Sequence, residues 1–293
     1  MSKVPKQKIL IAMPAYNEER YIGSLVLKAW QYGDDVLVVD DGSTDDTSEV
    51  AKLAGATVVR HEKNKGYGAT IQSILKQAKK MAPEVLVLLD ADAQHNPEDI
   101  PPFIKAISEG YDIAIGSRRL QNSSIPAYRR IGQRILLYMT RILSREELSD
   151  SESGFRAFSK DAVDMLDPKE QGMAVSAETI AIAAEKGLKI TEVPISIEYT
   201  RDGSTLNPVR HGFNVLGRII YMISERRPLF FFGIVGSVFM VIGLSHGVRV
   251  VNIFTSSGGM AVGTALLSVL FITIGVLSLF TGMILHALAR RKD

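Results

Sequence analysis

Along residues 1 to about 225, short apolar runs alternate with segments whose apolar positions recur at helical spacing. KILIAMP (8–14), DVLVVDD (35–41), ATVVR (56–60), EVLVLLD (84–90) and DIAIGS (112–117) are brief and rich in branched side chains, and turn residues bound them. They read as strands. Helical patterns fall between them at 18–31, 45–54, 67–81 and 97–109. Strands and helices in this order predict an α/β fold, with a mostly parallel sheet covered by helices on both faces. Beyond Arg227 the pattern changes. No residue from Pro228 to Val248 is charged, nor is any from Val250 to Ala289, with His246 and His286 as the titratable exceptions. About 20 apolar residues suffice to cross a bilayer as a helix. Two transmembrane helices are expected at about 229–250 and 262–286, joined by the polar turn Thr255-Ser256-Ser257-Gly258-Gly259. A buried soluble hairpin is the alternative. The expected organisation is a cytoplasmic domain over 1–211, an interfacial helix or linker over 212–228 and the hairpin over 229–293.

Charge adds an orientation. Arg226 and Arg227 precede the first span, and Arg290, Arg291 and Lys292 follow the second, while Arg249 alone lies between. The positive-inside rule then puts both termini and the N-terminal domain on the cytoplasmic side of an integral membrane protein. The net charge of +2 gives no reason to expect nucleic acid as a partner, and the absence of cysteine excludes disulfides and thiolate metal sites. The N-terminal apolar run before Pro14 is too short for a secretory signal.

Ligands of open α/β sheets bind beyond the carboxyl ends of the strands. Four of these ends carry polar clusters: Pro14-Ala15-Tyr16-Asn17-Glu18-Glu19, Asp40-Asp41-Gly42-Ser43-Thr44-Asp45, Asp90-Ala91-Asp92-Ala93-Gln94 and Ser117-Arg118-Arg119. Singly, the first reads equally as a helix entry capped by Asn17, and the second as a turn followed by a cap. Together they describe a pocket. If the chain stays extended past Asp90, then Asp90, Asp92 and Gln94 line one side. Their oxygens suit Mg²⁺ or Mn²⁺, which bind substrate phosphate as well. A cation would also offset the cost of crowding two carboxylates.

Pro14-x-Tyr16-Asn17-Glu18, Asp40-Asp41-Gly42-Ser43, the DXD motif Asp90-x-Asp92 with Gln94, and Ser117-Arg118 together resemble the family 2 glycosyltransferases of the GT-A fold. Asp150-Ser151-Glu152-Ser153-Gly154-Phe155-Arg156-Ala157, Glu192-Val193-Pro194-Ile195 and Arg201-x-Gly203-Ser204 are similar to the polyprenyl-phosphate branch, the dolichyl-phosphate mannose or glucose synthases. The resemblance covers about residues 8 to 210. It implies an inverting transfer of one sugar from a nucleotide diphosphate sugar, of the GDP-mannose or UDP-glucose type, to a polyprenyl (dolichyl) phosphate at a lipid bilayer. Pro14, Tyr16, Glu18, Val39 and Asp41 would then contact the nucleoside. Asp90 and Ala91 would lie along the ribose and diphosphate, and Asp92 and Gln94 would hold the cation on the diphosphate. Arg118 and Arg201 would assist the leaving group, so that Asp90, Arg118 and Arg201 form the catalytic set. Arg129 and Arg130 would bind the acceptor phosphate. In this sequence Ser204-Thr205-Leu206 stands where many eukaryotic-type members have a lysine.

On a helical wheel of RRIGQRILLYMTRILSR (129–145), Arg130, Arg134, Arg141 and Arg145 fall within an arc of roughly 60°. Ile131, Ile135, Tyr138, Met139 and Ile142 adjoin it, and Leu137 and Leu143 break the pattern. An interfacial helix and a core-facing helix with a basic edge both fit. Residues 212–225 read as a second interfacial helix. Glu178 reads equally as a cap and as a catalytic acid, and no metal role is expected of His61, His95 or His211. Other functions in view are transfer to a lipid or glycan hydroxyl and an inactive nucleotide-sugar-binding membrane scaffold. A phosphate acceptor is already ionised at neutral pH, so the absence of an evident general base favours the phosphate over the hydroxyl.

Overall fold

The computed structural model describes residues 7–118, 127–196 and 208–289. They divide into two compact units, Met1–Ile219 and Ile220–Asp293.

The first unit is built on a seven-stranded sheet in the order β3-β2-β1-β4-β6-β5-β7. The strands are β1 (Ile9–Ala15), β2 (Asp35–Asp40), β3 (Thr57–Arg60), β4 (Val85–Leu88), β5 (Ile113–Ser117), β6 (Arg156–Ser159) and β7 (Ile190–Pro194). β1 pairs in parallel with β2 and β4, β2 with β3, and β5 with β7. β6 is antiparallel to both its neighbours, β4 and β5. The helices are α1 (Glu19–Ala29), α2 (Thr47–Leu53), α3 (Tyr67–Met81), α4 (Ile100–Ser108), α5 (Ala127–Ser144), α6 (Lys160–Met165), α7 (Val175–Glu185) and α8 (Pro208–Arg226), whose residues from Ile220 on belong to the second unit.

The short apolar runs are strands because the sheet is covered on both faces, which removes the need for polar alternation. Successive side chains point to opposite sides. Ile11, Met13, Val36, Val38, Val85 and Val87 join one core cluster with Ile22 and Val26 of α1 and Phe103 of α4. Leu10, Ala12, Leu37, Val39, Leu86 and Leu88 join the other with Ile74 of α3, Val163 of α6 and Ile180 of α7.

Three sequence expectations change. The chain does not stay extended past Asp90. β4 ends at Leu88, residues 91 and 92 form a turn, and Ala93 adopts φ 57°, so Asp90, Asp92 and Gln94 are not consecutive teeth of one strand edge. Gln94 N–H donates to Asp92 Oδ1 at 3.0 Å, and this local bond stabilises the turn. The basic stripe of the wheel is shorter than expected, because Arg145 lies beyond α5 at φ 68°. Arg141 is also committed, its Nε donating to the Leu148 carbonyl at 3.0 Å. Leu137 and Leu143, which break the wheel, are buried, as are Thr140 and Ser144, whereas Ile135 and Tyr138 are exposed.

The second unit carries α9 (Pro228–Ser257) and α10 (Val262–Ala289), both long and apolar enough to cross a membrane. α9 continues through Thr255-Ser256-Ser257, so the expected polar turn starts only at Gly258, whose φ of 67° ends the helix. Small residues let the two helices approach closely. A Cβ on Gly236 would lie 2.8 Å from the Gly275 carbonyl oxygen. Ser268 Oγ donates to the Gly243 carbonyl at 2.7 Å and Ser278 Oγ to that of Phe232 at 3.0 Å, so these hydroxyls are satisfied between the helices.

Candidate functional site

The clusters after β1 and β2 are bound into one another. Asn17, at φ 56°, gives its N–H to Ser43 Oγ at 2.9 Å and accepts the Thr44 N–H on Oδ1 at 2.8 Å. It therefore ties two loops together and caps no helix. Glu18 N–H donates to Thr47 Oγ1 at 2.8 Å. Asp40 is fully buried and accepts from Ser43 N–H at 2.9 Å and from the Ser43 and Ser48 hydroxyls at 2.5 Å each. Asp41 accepts from Lys65 N–H at 3.0 Å and Gly66 N–H at 2.8 Å, with His61 Nδ1 at 2.6 Å, so it anchors the β3–α3 loop. Gly42 has φ 73°, and a Cβ there would lie 2.6 Å from the Lys63 carbonyl carbon. Pro14 and Val39 are partners in the β1–β2 ladder and are buried, while Tyr16 is 44% exposed.

After β4 stand the two carboxylates of the DXD motif. Asp90 Oδ1 accepts the Tyr67 hydroxyl at 3.1 Å. A Cβ on Gly154 would lie 2.2 Å from Asp90 Oδ2, so the glycine is what makes room for this carboxylate. Burial raises the Asp90 pKa, with Tyr67, Arg156 and Arg118 opposing the rise. Burial and then the charge of Asp90 raise that of Asp92. Glu18, from the first cluster, is pushed up to about 7 by burial, followed by the charges of Asp92, Asp45 and Asp90. The charges of Asp90 and Asp92 thus disfavour the ionisation of Glu18, and that of Asp90 disfavours the ionisation of Asp92. A cation among them would relieve that repulsion. Among the described residues no group of three or more His, Asp or Glu gathers in metal-ligand geometry. The donor set fits Mg²⁺ or Mn²⁺, which characteristically take few protein oxygens and complete their shell with water and substrate phosphate.

Arg118, after β5, forms a two-pronged ion pair with Asp150, through Nε at 2.5 Å and a terminal nitrogen at 2.7 Å. Burial alone would raise the Asp150 pKa, but the hydrogen bond and charge of Arg118 bring it below the usual range. Behind it, Glu192 of β7 accepts Ser149 N–H at 2.9 Å, Asp150 N–H at 3.0 Å and Ser149 Oγ at 2.8 Å. The guanidinium is thereby aimed by two layers of carboxylate. Arg156 is buried in β6 and donates to the carbonyls of Ser151, Ser153 and Ser176.

Glu178 is resolved by its contacts. Its Oε2 accepts the backbone N–H groups of Lys169 at 2.9 Å and Glu170 at 2.7 Å, which makes it the anchor of the loop before α7. That loop sits on the start of α3, where Gly68 N–H donates to the Gln171 carbonyl at 2.8 Å. A Cβ on Gly68 would lie 2.2 Å from the Glu170 carbonyl oxygen. Glu170 in turn pairs with Arg218 of α8 at 2.9 Å.

Of the residues expected at the site, Pro14, Tyr16, Glu18, Val39, Asp41, Asp90, Ala91, Asp92, Gln94 and Arg118 all belong to the strand ends β1, β2, β4 and β5. Arg201 lies outside the described residues, as do the side chains of Arg129 and Arg130 in the first turn of α5 and of His211 in α8. Tyr67, His95, Asp150, Gly154 and Glu192 were given no role in the sequence reading. Gly154, Asp150 and Glu192 do fall in the motifs already quoted. Tyr67 and His95 carry no signal beyond their proximity to a motif.

Residues 10–166 match Glycosyl transferase family 2. An uncharacterized protein of Methanocaldococcus jannaschii is 37% identical over 228 residues, which span 75% of this chain and 94% of that one. The UDP-N-acetylglucosamine–dolichyl-phosphate N-acetylglucosaminyltransferase of Methanococcus voltae is 30% identical over 240 residues, 73% of this chain and 95% of the relative. Among solved structures, glucosyl-3-phosphoglycerate synthase of Mycobacterium tuberculosis, crystallised with Mn²⁺, UDP and phosphoglyceric acid, superposes with TM-score 0.61 at 21% identity over 75% of this chain and 78% of its own. That enzyme is also solved with Mg²⁺ and UDP.

Proposed function

The chain belongs to glycosyl transferase family 2 and is a glycosyltransferase, and from that premise we propose that it moves one sugar from a nucleotide diphosphate sugar to a polyprenyl (dolichyl) phosphate. The donor is of the GDP-mannose or UDP-glucose type, or the UDP-N-acetylglucosamine that names the M. voltae relative. One observation carries the donor side: Glu18, Asp90 and Asp92 stand at two strand ends with their pKa values raised by burial, that of Glu18 further by Asp92, Asp45 and Asp90 and that of Asp92 further by Asp90.

The residues take the following parts. The exposed Tyr16 offers a ring face to the base, with Pro14, Val39 and Asp41 beneath it. Asp90 and Ala91 lie along the ribose and diphosphate. Asp92 and Gln94 hold Mg²⁺ or Mn²⁺, which when bound neutralises charge on the departing diphosphate. Arg118, aimed by Asp150, adds a fixed positive charge on the same side, and Arg201 a second. Arg129 and Arg130 at the start of α5 receive the acceptor phosphate, for which a guanidinium fork is well shaped. Because that phosphate is already an anion, positioning carries more of the catalysis than proton transfer does. A single displacement inverts the anomeric centre.

The lipid acceptor is supported by the two apolar helices and by the relative's name. With the basic flanks on the cytoplasmic side, α9 and α10 cross the bilayer and hold residues 1–211 as a cytoplasmic domain, with 212–228 at the interface. Asp92→Ala tests the donor half of the reading. Divalent-dependent transfer should fall by about a hundredfold or more. Wild-type turnover in that variant would remove Asp92 from the cation site.

A further inference from the structure

His95 follows the DXD segment and has no part in the chemistry above. It is 6% exposed, and its Nδ1 has no hydrogen-bond partner. A buried polar nitrogen left unpaired is costly and uncommon in a folded protein. The ring is held in place by aromatic neighbours. Its centroid lies 5.4 Å from that of Phe155, which in turn stacks on Phe103 at 4.2 Å. So held, Nδ1 lies 3.7 Å from Asp90 Oδ2, just beyond hydrogen-bond reach. The other oxygen, Oδ1, already accepts from Tyr67 at 3.1 Å. The carboxylate can stand here because residue 154 is glycine, where a Cβ would lie 2.2 Å from Oδ2.

We propose that His95 is the positioning residue of Asp90: the imidazole donates Nδ1–H to Oδ2, Tyr67 donates to Oδ1, and the carboxylate is fixed between them for the nucleotide. A shift of about 0.8 Å in the Asp90 side chain completes the bond. The inference rests on the reading of Asp90 as a nucleotide contact.

The test uses the full-length chain in lipid nanodiscs, with UDP and GDP plus Mn²⁺ as probes and no acceptor, so that it does not depend on transfer. His95→Phe keeps the aromatic packing and removes the donor. His95→Asn restores a donor near the position of Nδ1. Binding of the preferred nucleotide should weaken at least about tenfold in His95→Phe and return to within about threefold of wild type in His95→Asn, at matched thermal midpoints. Tyr67→Phe and His95→Phe should be non-additive, because both act on one carboxylate. Equal losses in the Phe and Asn variants, or no loss in either, would overturn the proposal. If His95→Phe does not fold, His95→Leu takes its place as the variant without a donor and is read against His95→Asn by the same criteria. Nucleotide binding by a wild type that transfers no sugar would sink the proposed function and leave the His95 test intact.

Discussion

Glu18 holds a proton to about pH 7 in the folded protein, against 4.5 for an ordinary glutamate, because burial and three neighbouring carboxylates oppose its charge. Between those two values the unfolded chain releases a proton that the folded one keeps, so stability falls as pH rises through the window. Asp90 and Asp92 are shifted in the same direction and add to the slope. In divalent-free buffer the thermal midpoint should therefore drop between pH 5 and 7. Glu18→Gln should flatten part of that drop, and Mn²⁺ should restore part of it in wild type. Identical slopes in the two proteins, followed by scanning fluorimetry, would show that Glu18 does not feel the cluster. The carboxylates themselves were legible as residue types at strand ends. Their geometry was not, because Ala93 turns the chain at φ 57°, a conformation that a non-glycine side chain does not announce. Nor were the supports legible: that Tyr67 and His95 meet Asp90 follows from how α3 and the loop after β4 approach each other in space.

At the scale of elements, the loop over residues 169–171 joins the start of α3 to α7 and α8 through Glu178, Gln171 and Glu170. Glu178→Ala leaves two backbone donors without their acceptor and should cost about 3 kcal/mol. That corresponds to a fall of roughly 6–12 °C in thermal midpoint for a domain of this size. Glu178→Gln keeps an acceptor oxygen and should retain most transfer activity, whereas a catalytic acid would not survive the change. The five strands read from the sequence are present within a residue or two, because continuous apolar runs have few other uses. β6 and β7 escaped notice for physical reasons. RAFS opens on a charged residue that is buried only because three carbonyls accept from it. ITEVP carries a glutamate that supports Asp150 and a proline at a sheet edge, both poor advertisements for a strand. The wheel of α5 misjudged its buried face because two leucines outside the expected stripe are among the residues that are buried.

For the whole molecule, a GT-A sheet and an apolar helical pair occur in one chain, and each was visible as a change in hydrophobic pattern at Arg227. The interhelical hydrogen bonds of Ser268 and Ser278 and the close glycine contacts hold the two apolar helices together. In the proposed reaction the sheet carries the nucleotide-sugar site, and the apolar helices suit an acceptor confined to a membrane. The most direct measurement joins the two: membranes containing the full-length chain are given radiolabelled GDP-mannose, UDP-glucose and UDP-N-acetylglucosamine in turn, with dolichyl phosphate and Mn²⁺. One donor should label a lipid phosphate monosaccharide, with no labelling when dolichyl phosphate is omitted or Mn²⁺ is chelated. Label that enters no lipid phosphate from any donor, or that enters only a neutral glycolipid, would contradict transfer to a polyprenyl phosphate.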